Sequence, residues 1–268
     1  MVGVVGVGSM GSVFVERFVA AGIKPLVFDV SPAAVDHARE LGAEPCSSAL
    51  ELAQKADIVD VMVRTDAEML DCVLGDHGIL SGLSAGDALV LHSTVHPRTT
   101  RKIAEAAGAK RVAIADACIG GQPAVLRAGN SSVIVGGDPT VVERLRPHLA
   151  LLGTVYHVGP IGAGNTTKMM HNLVNGAHRM VISEALQIGR ADGVSAAALL
   201  EVLRHDTPAW FQSEDSFDPG PGLTFNRNLV EQILPPIERL TDELGSEVPI
   251  TKLLINLAKV QEEAASEK

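Results

Sequence analysis

The chain has 268 residues, 46% of them hydrophobic and 20% charged, enough apolar material for the core of one large domain or two modest ones. Its net charge of −10, with no basic cluster, excludes nucleic acid and an anionic membrane surface as expected partners, but not a small anion held by a local lysine or a helix N-terminus. The three cysteines, Cys46, Cys72 and Cys118, are odd in number and far apart, which argues against a disulfide framework or a zinc site and predicts a reducing, cytoplasmic compartment.

Residues 2–7 form a short apolar run, the pattern of a central parallel strand, with no leader-like segment before it. Gly6-Val7-Gly8-Ser9-Met10-Gly11 follows at once; residues 12–21 then read as a helix stopped by Gly22, and residues 23–28 as a second strand ending at Asp29. The order strand, glycine turn, helix, strand, acid is specific for a dinucleotide. Gly6 makes the tight turn, Gly8 admits a pyrophosphate to the backbone, and Gly11 allows close helix packing. The helix N-terminus favours the phosphate charge. Asp29 can accept from both ribose hydroxyls of NAD and would repel the 2′-phosphate of NADP. Val30 and Ser31 beside it offer no arginine to neutralise that phosphate, so NADP is the less favoured cofactor. The plain alternative, a glycine turn without a ligand, does not account for the acid.

The alternation continues, with helices expected at 32–41, 48–55, 66–74, 97–107 and 140–151, and strands at 57–63, 88–92, 112–116, 132–135 and 155–158. Strands alternating with helices predict an α/β fold, a Rossmann-type doubly wound parallel sheet. After residue 160 the pattern changes. Helices are expected at 165–190, 196–203, 226–244 and 250–265, with a loop or broken helix at 206–222 and no strand. The expected organisation is therefore a dinucleotide-binding domain at 1–160 and an all-helical substrate and dimerisation domain at 161–268.

The boundary falls on Gly159-Pro160-Ile161-Gly162-Ala163-Gly164-Asn165-Thr166-Thr167-Lys168-Met169-Met170-His171-Asn172. At about 100° per residue, Lys168 and Asn172 share one helix face, which Asn175 and Arg179 continue. Met169, Met170, Leu173, Val174, Met180, Val181 and Ile182 cover most of the remaining surface, so the helix is expected to be largely buried. A lysine on such a helix needs a partner or a task. His171 and His178 adjoin the stripe and read first as packing or interface residues. Trp210 and Phe211 read equally as core or as pocket lining. The nine histidines are scattered, with no HxxxH or HxH, and no metal is expected.

Four features then coincide: Gly6-x-Gly8-x-Met10-Gly11, Ser93-Thr94-Val95 after a strand, Asp116-Ala117-Cys118-Ile119-Gly120-Gly121 after another, and Gly159-x-x-Gly162-x-Gly164-x-x-x-Lys168-x-x-x-Asn172. Together they resemble the β-hydroxyacid dehydrogenases, the group of 3-hydroxyisobutyrate dehydrogenase, tartronate semialdehyde reductase and 6-phosphogluconate dehydrogenase. The resemblance covers essentially the whole chain. It implies a Rossmann domain for NAD(P), a following all-helical domain, a small hydroxy acid or semialdehyde as substrate, and a homodimer or homotetramer. It makes Lys168 the catalytic lysine and Asn172 the substrate-orienting asparagine. Met62, Val63 and Thr94 fall against the cofactor; Ser93, Gly120, Gly121 and Gln122 fall near the substrate.

Four positions, in three motifs, depart from the family pattern. Cys118 and Gly120 replace the proline and the serine of its substrate motif. Arg64 stands where a cofactor-packing proline is usual, and Gln232 where a lysine is. Backbone N–H groups of Gly120 and Gly121 can replace the serine hydroxyl as an anion nest. The implied reaction is hydride transfer between NAD and a CH–OH carbon, with Lys168 as proton donor and acceptor. A non-catalytic dinucleotide-binding protein of the same fold, or an imine reductase-like enzyme, is the alternative; the presence of Lys168 disfavours both. Calorimetric titration is expected to show NAD bound more tightly than NADP, with Asp29→Ala eroding the difference. Equal affinities in the wild type would contradict the role given to Asp29.

Overall fold

In the computed structural model, which describes residues 1–210, 237–238, 241–243, 245 and 247–266, the chain opens with the buried strand β1 (Val2–Val5). There follow α1 (Gly11–Ala20), β2 (Leu26–Phe28), α2 (Pro32–Glu40), β3 (Glu44–Pro45), α3 (Ala49–Lys55), β4 (Ile58–Val61), α4 (Asp66–Leu74) and α5 (Ile79–Gly82). Then come β5 (Ala88–Leu91), α6 (Pro97–Ala109), β6 (Ala113–Gly120), α7 (Pro123–Arg127), β7 (Ser131–Gly137), α8 (Pro139–Leu149) and β8 (Gly153–Gly159). The remaining elements are helices: α9 (Ala163–Ala191), α10 (Ala196–Trp210) and α11 (Pro249–Ser266). Many starts are written locally. Ser31, Ser48 and Thr65 cap α2, α3 and α4 through their hydroxyls, and Pro32, Pro97 and Pro139 occupy first-turn positions that need no N–H.

The strands form a single eight-stranded sheet in the order β3-β2-β1-β4-β5-β6-β7-β8. Chain direction across the sheet reverses beside β1, which pairs in parallel with both β2 and β4. That is the switch point at which open α/β sheets bind ligands, beyond the carboxyl ends of the strands. One side of the sheet packs Phe14, Phe18, Val142, Leu145 and Leu149 of α1 and α8; the other packs Leu52, Met69, Val73, Ile79 and Ile103 of α3 to α6. Each such buried side chain contributes about 1.5–3 kcal/mol.

The structure corrects several expectations. The pairing of β6 with β7 is antiparallel within the otherwise parallel sheet, because only the short α7 lies between them, too little chain for a crossover. β6 also runs on to Gly120, so Asp116 to Gly120 lie inside a strand rather than after one. Cross-strand partners on β7 satisfy that stretch, a long-range effect that local apolar pattern does not report. Residues 206–210 continue α10, where a loop or broken helix was expected, and the rest of 206–222 lies outside the described residues, as does most of 226–244. The helical units add no strand among the described residues.

The chain divides into two compact units, Met1–Asn172 and Leu173–Lys268. In the second, Glu184 of α9 accepts hydrogen bonds from the Ile250 and Thr251 N–H groups and from the Thr251 hydroxyl, capping α11 with a buried carboxylate. The apolar stripe of α9 is not buried as expected: Met170 is 51% and Leu173 64% exposed in the single chain. Helical periodicity marks a face for burial but does not say which chain covers it. No helix among the described residues is long and apolar enough to cross a membrane.

Among the described residues, one buried polar cluster centres on Asp60. Asp60 of β4 is fully buried and accepts from His92 Nε2 at 2.7 Å and from His148 Nε2 of α8 at 2.9 Å. Ion pairing overcomes burial and holds the Asp60 carboxyl well below the ordinary carboxylate range. Asp60, in turn, raises His148 against the opposing effect of burial. A depressed acid stabilises the fold above its ordinary value, here 3.8, and loses that contribution as pH falls through the folded-state value. A raised histidine stabilises fully below 6.5 and loses its contribution as pH climbs above that. Asp60→Asn is therefore expected to cost about 3–5 kcal/mol in urea unfolding. The difference from wild type should be largest between the two values and shrink on both sides; a pH-independent difference would contradict the ionic reading of the cluster.

Candidate active site

The glycine turn is built by close approach. Gly6 has φ +87°, and a Cβ there would lie 2.0 Å from the Met62 carbonyl oxygen. A Cβ at Gly11 would lie 2.0 Å from the carbonyl oxygen of Gly6, so this glycine packs the helix start onto its own turn. Gly8 faces open space, with no atom within 4 Å of its added Cβ, and leaves backbone accessible to a ligand. α1 begins without a capping side chain and without an acid in its first turn, so its positive end is uncompensated. Asp29 accepts the Val7 N–H on Oδ2 and the Ser31 N–H on Oδ1, each at 2.8 Å, which ties the two βα turns together. Each oxygen keeps acceptor capacity for a ribose hydroxyl. Val30 is 89% exposed and adds no charge. Uncompensated helix dipole, open Gly8 and half-buried Asp29 form a donor and acceptor set that fits NAD.

Across the switch point, the ends of β4, β5 and β6 line a cleft of about 360 Å³ with Ser9, Met10, Met62, Val63, Ser93, Thr94, Ile119, Gly121 and Gln122. Asp29, at the end of β2, lies on the other side of β1 from this cleft. Ser93 is buried, and its hydroxyl accepts the Val63 N–H at 2.8 Å, locking one loop of the cleft to the other. Arg64, at the usual proline position, turns outward, 88% exposed, and pairs with Glu68. Gly120 pairs across the sheet with Ser132, whose Cβ would lie 3.3 Å from one added at Gly120.

Asp116 joins this cleft to α9. Its carboxylate, fully buried on β6, accepts the Gly162 N–H on Oδ1 and the Asn165 N–H on Oδ2, both at 2.7 Å. Burial raises its pKa, and these N–H groups oppose the rise. Asn165, also fully buried, accepts the Val95 N–H on Oδ1 at 2.8 Å and donates from Nδ2 to Thr100 Oγ1 at 3.1 Å. Two glycines permit the approach. A Cβ at Gly136 would lie 2.5 Å from Asp116 Oδ1, and one at Gly164 2.7 Å from the Ile134 carbonyl oxygen.

One turn further, Lys168 is 9% exposed. Burial pulls its pKa below the ordinary lysine range, and no carboxylate offsets that among the described residues. The nearby Cys118 thiol is pushed up to about 12 by burial and so stays protonated.

The structure thus gathers Ser9, Met10, Met62, Val63, Ser93, Thr94, Gly121 and Gln122 in one cleft, with Gly6, Val7, Gly8, Gly11 and Asp29 beside it, and places Lys168 one turn beyond Asn165. Asn172 is exposed, as is Val30, and neither lines the cleft. Gln232, Phe211 and the side chains of Arg179 and Trp210 lie outside the described residues. Sequence reasoning missed Asn165, the anchoring role of Asp116, and the meeting of His92 and His148 on Asp60. The available signals were an acid inside the apolar run Ile58-Val59-Asp60-Val61 and a histidine ending Ala88-Leu89-Val90-Leu91. Among the described residues no group of His, Cys, Asp and Glu is placed to hold a metal ion.

The sequence profile of the NAD binding domain of 6-phosphogluconate dehydrogenase matches residues 1–177. A 3-hydroxyisobutyrate dehydrogenase of Pseudomonas aeruginosa is 34% identical over 81% of this chain and 73% of its own length. The chain belongs to the β-hydroxyacid dehydrogenase family. It is an NAD-binding oxidoreductase acting on CH–OH groups. Other relatives are an NAD-dependent L-serine dehydrogenase of the same organism, 32% identical over 83% of this chain and 74% of its own length, and a 2-(hydroxymethyl)glutarate dehydrogenase of Eubacterium barkeri, 30% identical over 75% and 67%. Among solved structures, a putative oxidoreductase from Mycobacterium avium 104 superposes with a TM-score of 0.81 at 25% identity, covering 95% of each chain. An imine reductase from Myxococcus stipitatus reaches 0.84 at 19% identity, covering 98% of this chain and 94% of its own, which is a likeness of fold alone.

The Asp116 anchor makes a direct prediction. Asp116→Asn keeps the shape but cannot accept both N–H groups through carboxylate oxygens. It is expected to cost about 1–3 kcal/mol in urea unfolding and to lower kcat more than it alters NAD affinity. An unchanged kcat in a destabilised variant would separate the anchor from Lys168.

Proposed function

We propose that this protein transfers hydride between NAD and a small 3-hydroxy acid, or the corresponding semialdehyde, with Lys168 as general acid and base. The observation that carries the reading is a lysine buried without a carboxylate partner among the described residues, on a helix tied by Asp116 and Asn165 to the sheet end that forms the cleft. When bound, the nicotinamide ring supplies or takes the hydride. The chain's residues do the rest. Lys168 as ammonium donates a proton to the carbonyl oxygen in reduction, and as amine it takes the hydroxyl proton in oxidation. Its lowered pKa brings the amine form within reach nearer neutral pH. Asn172, one turn on, is assigned to orient a second substrate oxygen.

For the substrate carboxylate we assign the backbone of Gly120 and Gly121, with Ser93 and Gln122 beside it. Gly121 has φ +109°, open to glycine alone, and turns the chain out of β6 at the cleft. The relatives' names support the same class: 3-hydroxyisobutyrate, serine and 2-(hydroxymethyl)glutarate all carry a hydroxymethyl group on the carbon next to a carboxylate. The binding-only and imine-reducing alternatives leave the buried lysine without a task.

The exposed stripe of Met170, Leu173, Val174 and Met180 supports a homodimer or homotetramer assembled through α9. The three free cysteines, two of them buried, support a cytoplasmic setting, and the dinucleotide site with the net charge of −10 supports neither nucleic acid nor membrane as partner.

Lys168→Met keeps length and apolar stem. It should lower kcat on 3-hydroxy acids by about a thousandfold or more, with NAD binding and folding intact, by stopped-flow and calorimetry. Near-normal turnover would overturn the assignment. Sedimentation at micromolar concentration should show a dimer or tetramer; a stable monomer would remove the role given to the stripe.

A further inference from the structure

The Asp60 cluster lies directly beneath the cofactor cleft. His92 ends β5 and is followed by Ser93 and Thr94; its backbone reaches the cleft while its ring is completely buried. Both ring nitrogens face acceptors. Nδ1 lies 2.6 Å from the Ala117 carbonyl oxygen, and Nε2 lies 2.7 Å from Asp60 Oδ1. A carbonyl cannot donate, so Nδ1 is the donor to Ala117, and Nε2 faces the Asp60 carboxylate, which ties the ring to both.

His148 closes the far side of Asp60. Its Nε2 donates to both carboxylate oxygens, at 2.9 and 3.1 Å, and its ring stacks on Phe18 at 5.0 Å. Protonation of His148 adds one unit of positive charge to the cluster. That charge sits in a low-dielectric layer under a site whose ligand differs by one unit between its states, the oxidised nicotinamide ring being cationic and the reduced ring neutral.

We propose that His148, acting through Asp60 and His92, sets the site's relative affinity for NAD⁺ and NADH as a function of pH. His148 is thereby a positioning residue for charge and not a catalytic one. Protonation disfavours the cationic ring and favours NADH; deprotonation reverses the preference. By reciprocity, NAD⁺ binding expels the His148 proton while NADH binding retains it. The inference rests on the nicotinamide half occupying the cleft over β4 to β6.

α8 packs against β6, β7 and β8 as well as α1, and β8 carries His157, whose Nε2 lies 3.0 Å from the Gly137 and Gly159 carbonyl oxygens. β4 presents Asp60 and β5 His92 beyond it. α1 presents the ring of Phe18 to His148 and that of Phe14 to His92, while its Arg17 turns to the Leu151 carbonyl. On α8 itself, Arg146 pairs with Glu143 and Arg144 donates to the Gly86 carbonyl. In the active site, Lys168 titrates and Asp116 is a buried carboxylate; both are unchanged in a His148 variant, so comparison of the two proteins removes their contribution.

The experiment measures the dissociation constants of NAD⁺ and NADH from pH 6 to 9.5, by quenching and competition of dihydronicotinamide fluorescence, for wild type and His148→Gln. Glutamine keeps a neutral donor for Asp60 and cannot take up the charge. In the wild type the ratio of the NAD⁺ to the NADH constant should fall by roughly three- to tenfold as pH rises through the titration of His148. In the variant the His148 part of this fall should be absent, leaving only the contribution of Lys168. Equal slopes in the two proteins, or a flat wild-type ratio, would overturn the proposal.

Should His148→Gln fail to fold, nuclear magnetic resonance of the wild-type histidine Cε1–H signal serves instead. His148 should titrate at lower pH with saturating NAD⁺ than with NADH, and coincident curves would overturn the proposal. Neither measurement needs turnover, so loss of the hydroxy-acid reading leaves the test standing. Failure of both cofactors to bind would overturn the cofactor placement and this proposal together.

Discussion

The candidate site depends on a buried carboxylate at a helix start. Asp116 stands inside the sheet and accepts the Gly162 and Asn165 N–H groups, orphan donors of a helix that runs 29 residues. The charge is complementary to the helix N-terminus, and water is excluded, so the contact is short and directional. It fixes where α9 begins and in which rotation. Lys168, less than one turn beyond Asn165, inherits that rotation, and its reach follows from the anchor rather than from its own contacts. Asn165 extends the lock by holding Val95, next to the cleft residue Thr94.

Glycines make the anchor possible. At Gly136 and Gly164 any side chain would occupy the space that Asp116 and the neighbouring backbone carbonyls fill. The same physics operates at the other end of the unit, where Gly6 and Gly11 fold the first turn onto the Met62 and Gly6 carbonyls. Both halves of the site are places where backbone replaces side chain, so that polar backbone groups come close enough to hold charge. Between them the sheet supplies rigidity, with its aliphatic strands packed on both sides.

The polar core fits the same scheme. Asp60, His92 and His148 form a second buried polar cluster beside that of Asp116 and Asn165, and buried ionic groups stabilise less than the apolar residues they displace unless every donor and acceptor is used. Here the His92 ring nitrogens and both Asp60 oxygens are used, across β4, β5, β6 and α8. The cluster therefore links the strand ends that line the cleft to α8.

By itself the sequence determined the parts that local chemistry encodes. Apolar runs bounded by glycines, capping serines and a threonine, prolines at helix starts and the Gly6–Gly11 turn with Asp29 are readable because neighbours along the chain create them. The family motif singled out Lys168 and Asn172 as candidates; Lys168 is buried beside the helix start that Asp116 anchors, while its neighbours Met169 and Met170 are exposed. Tertiary structure decided what depends on residues far apart in the chain. The antiparallel β7 follows from the shortness of α7, and β6 extends to Gly120 because β7 pairs with it. The stripe on α9 stays exposed in the single chain because periodicity names a face, not its cover. Asp116 was legible as part of a motif but not as a helix anchor, since its partners lie 46 and 49 residues on. His92 and His148 looked scattered for the same reason: Asp60 is 32 residues from one and 88 from the other, and only sheet order brings the three together.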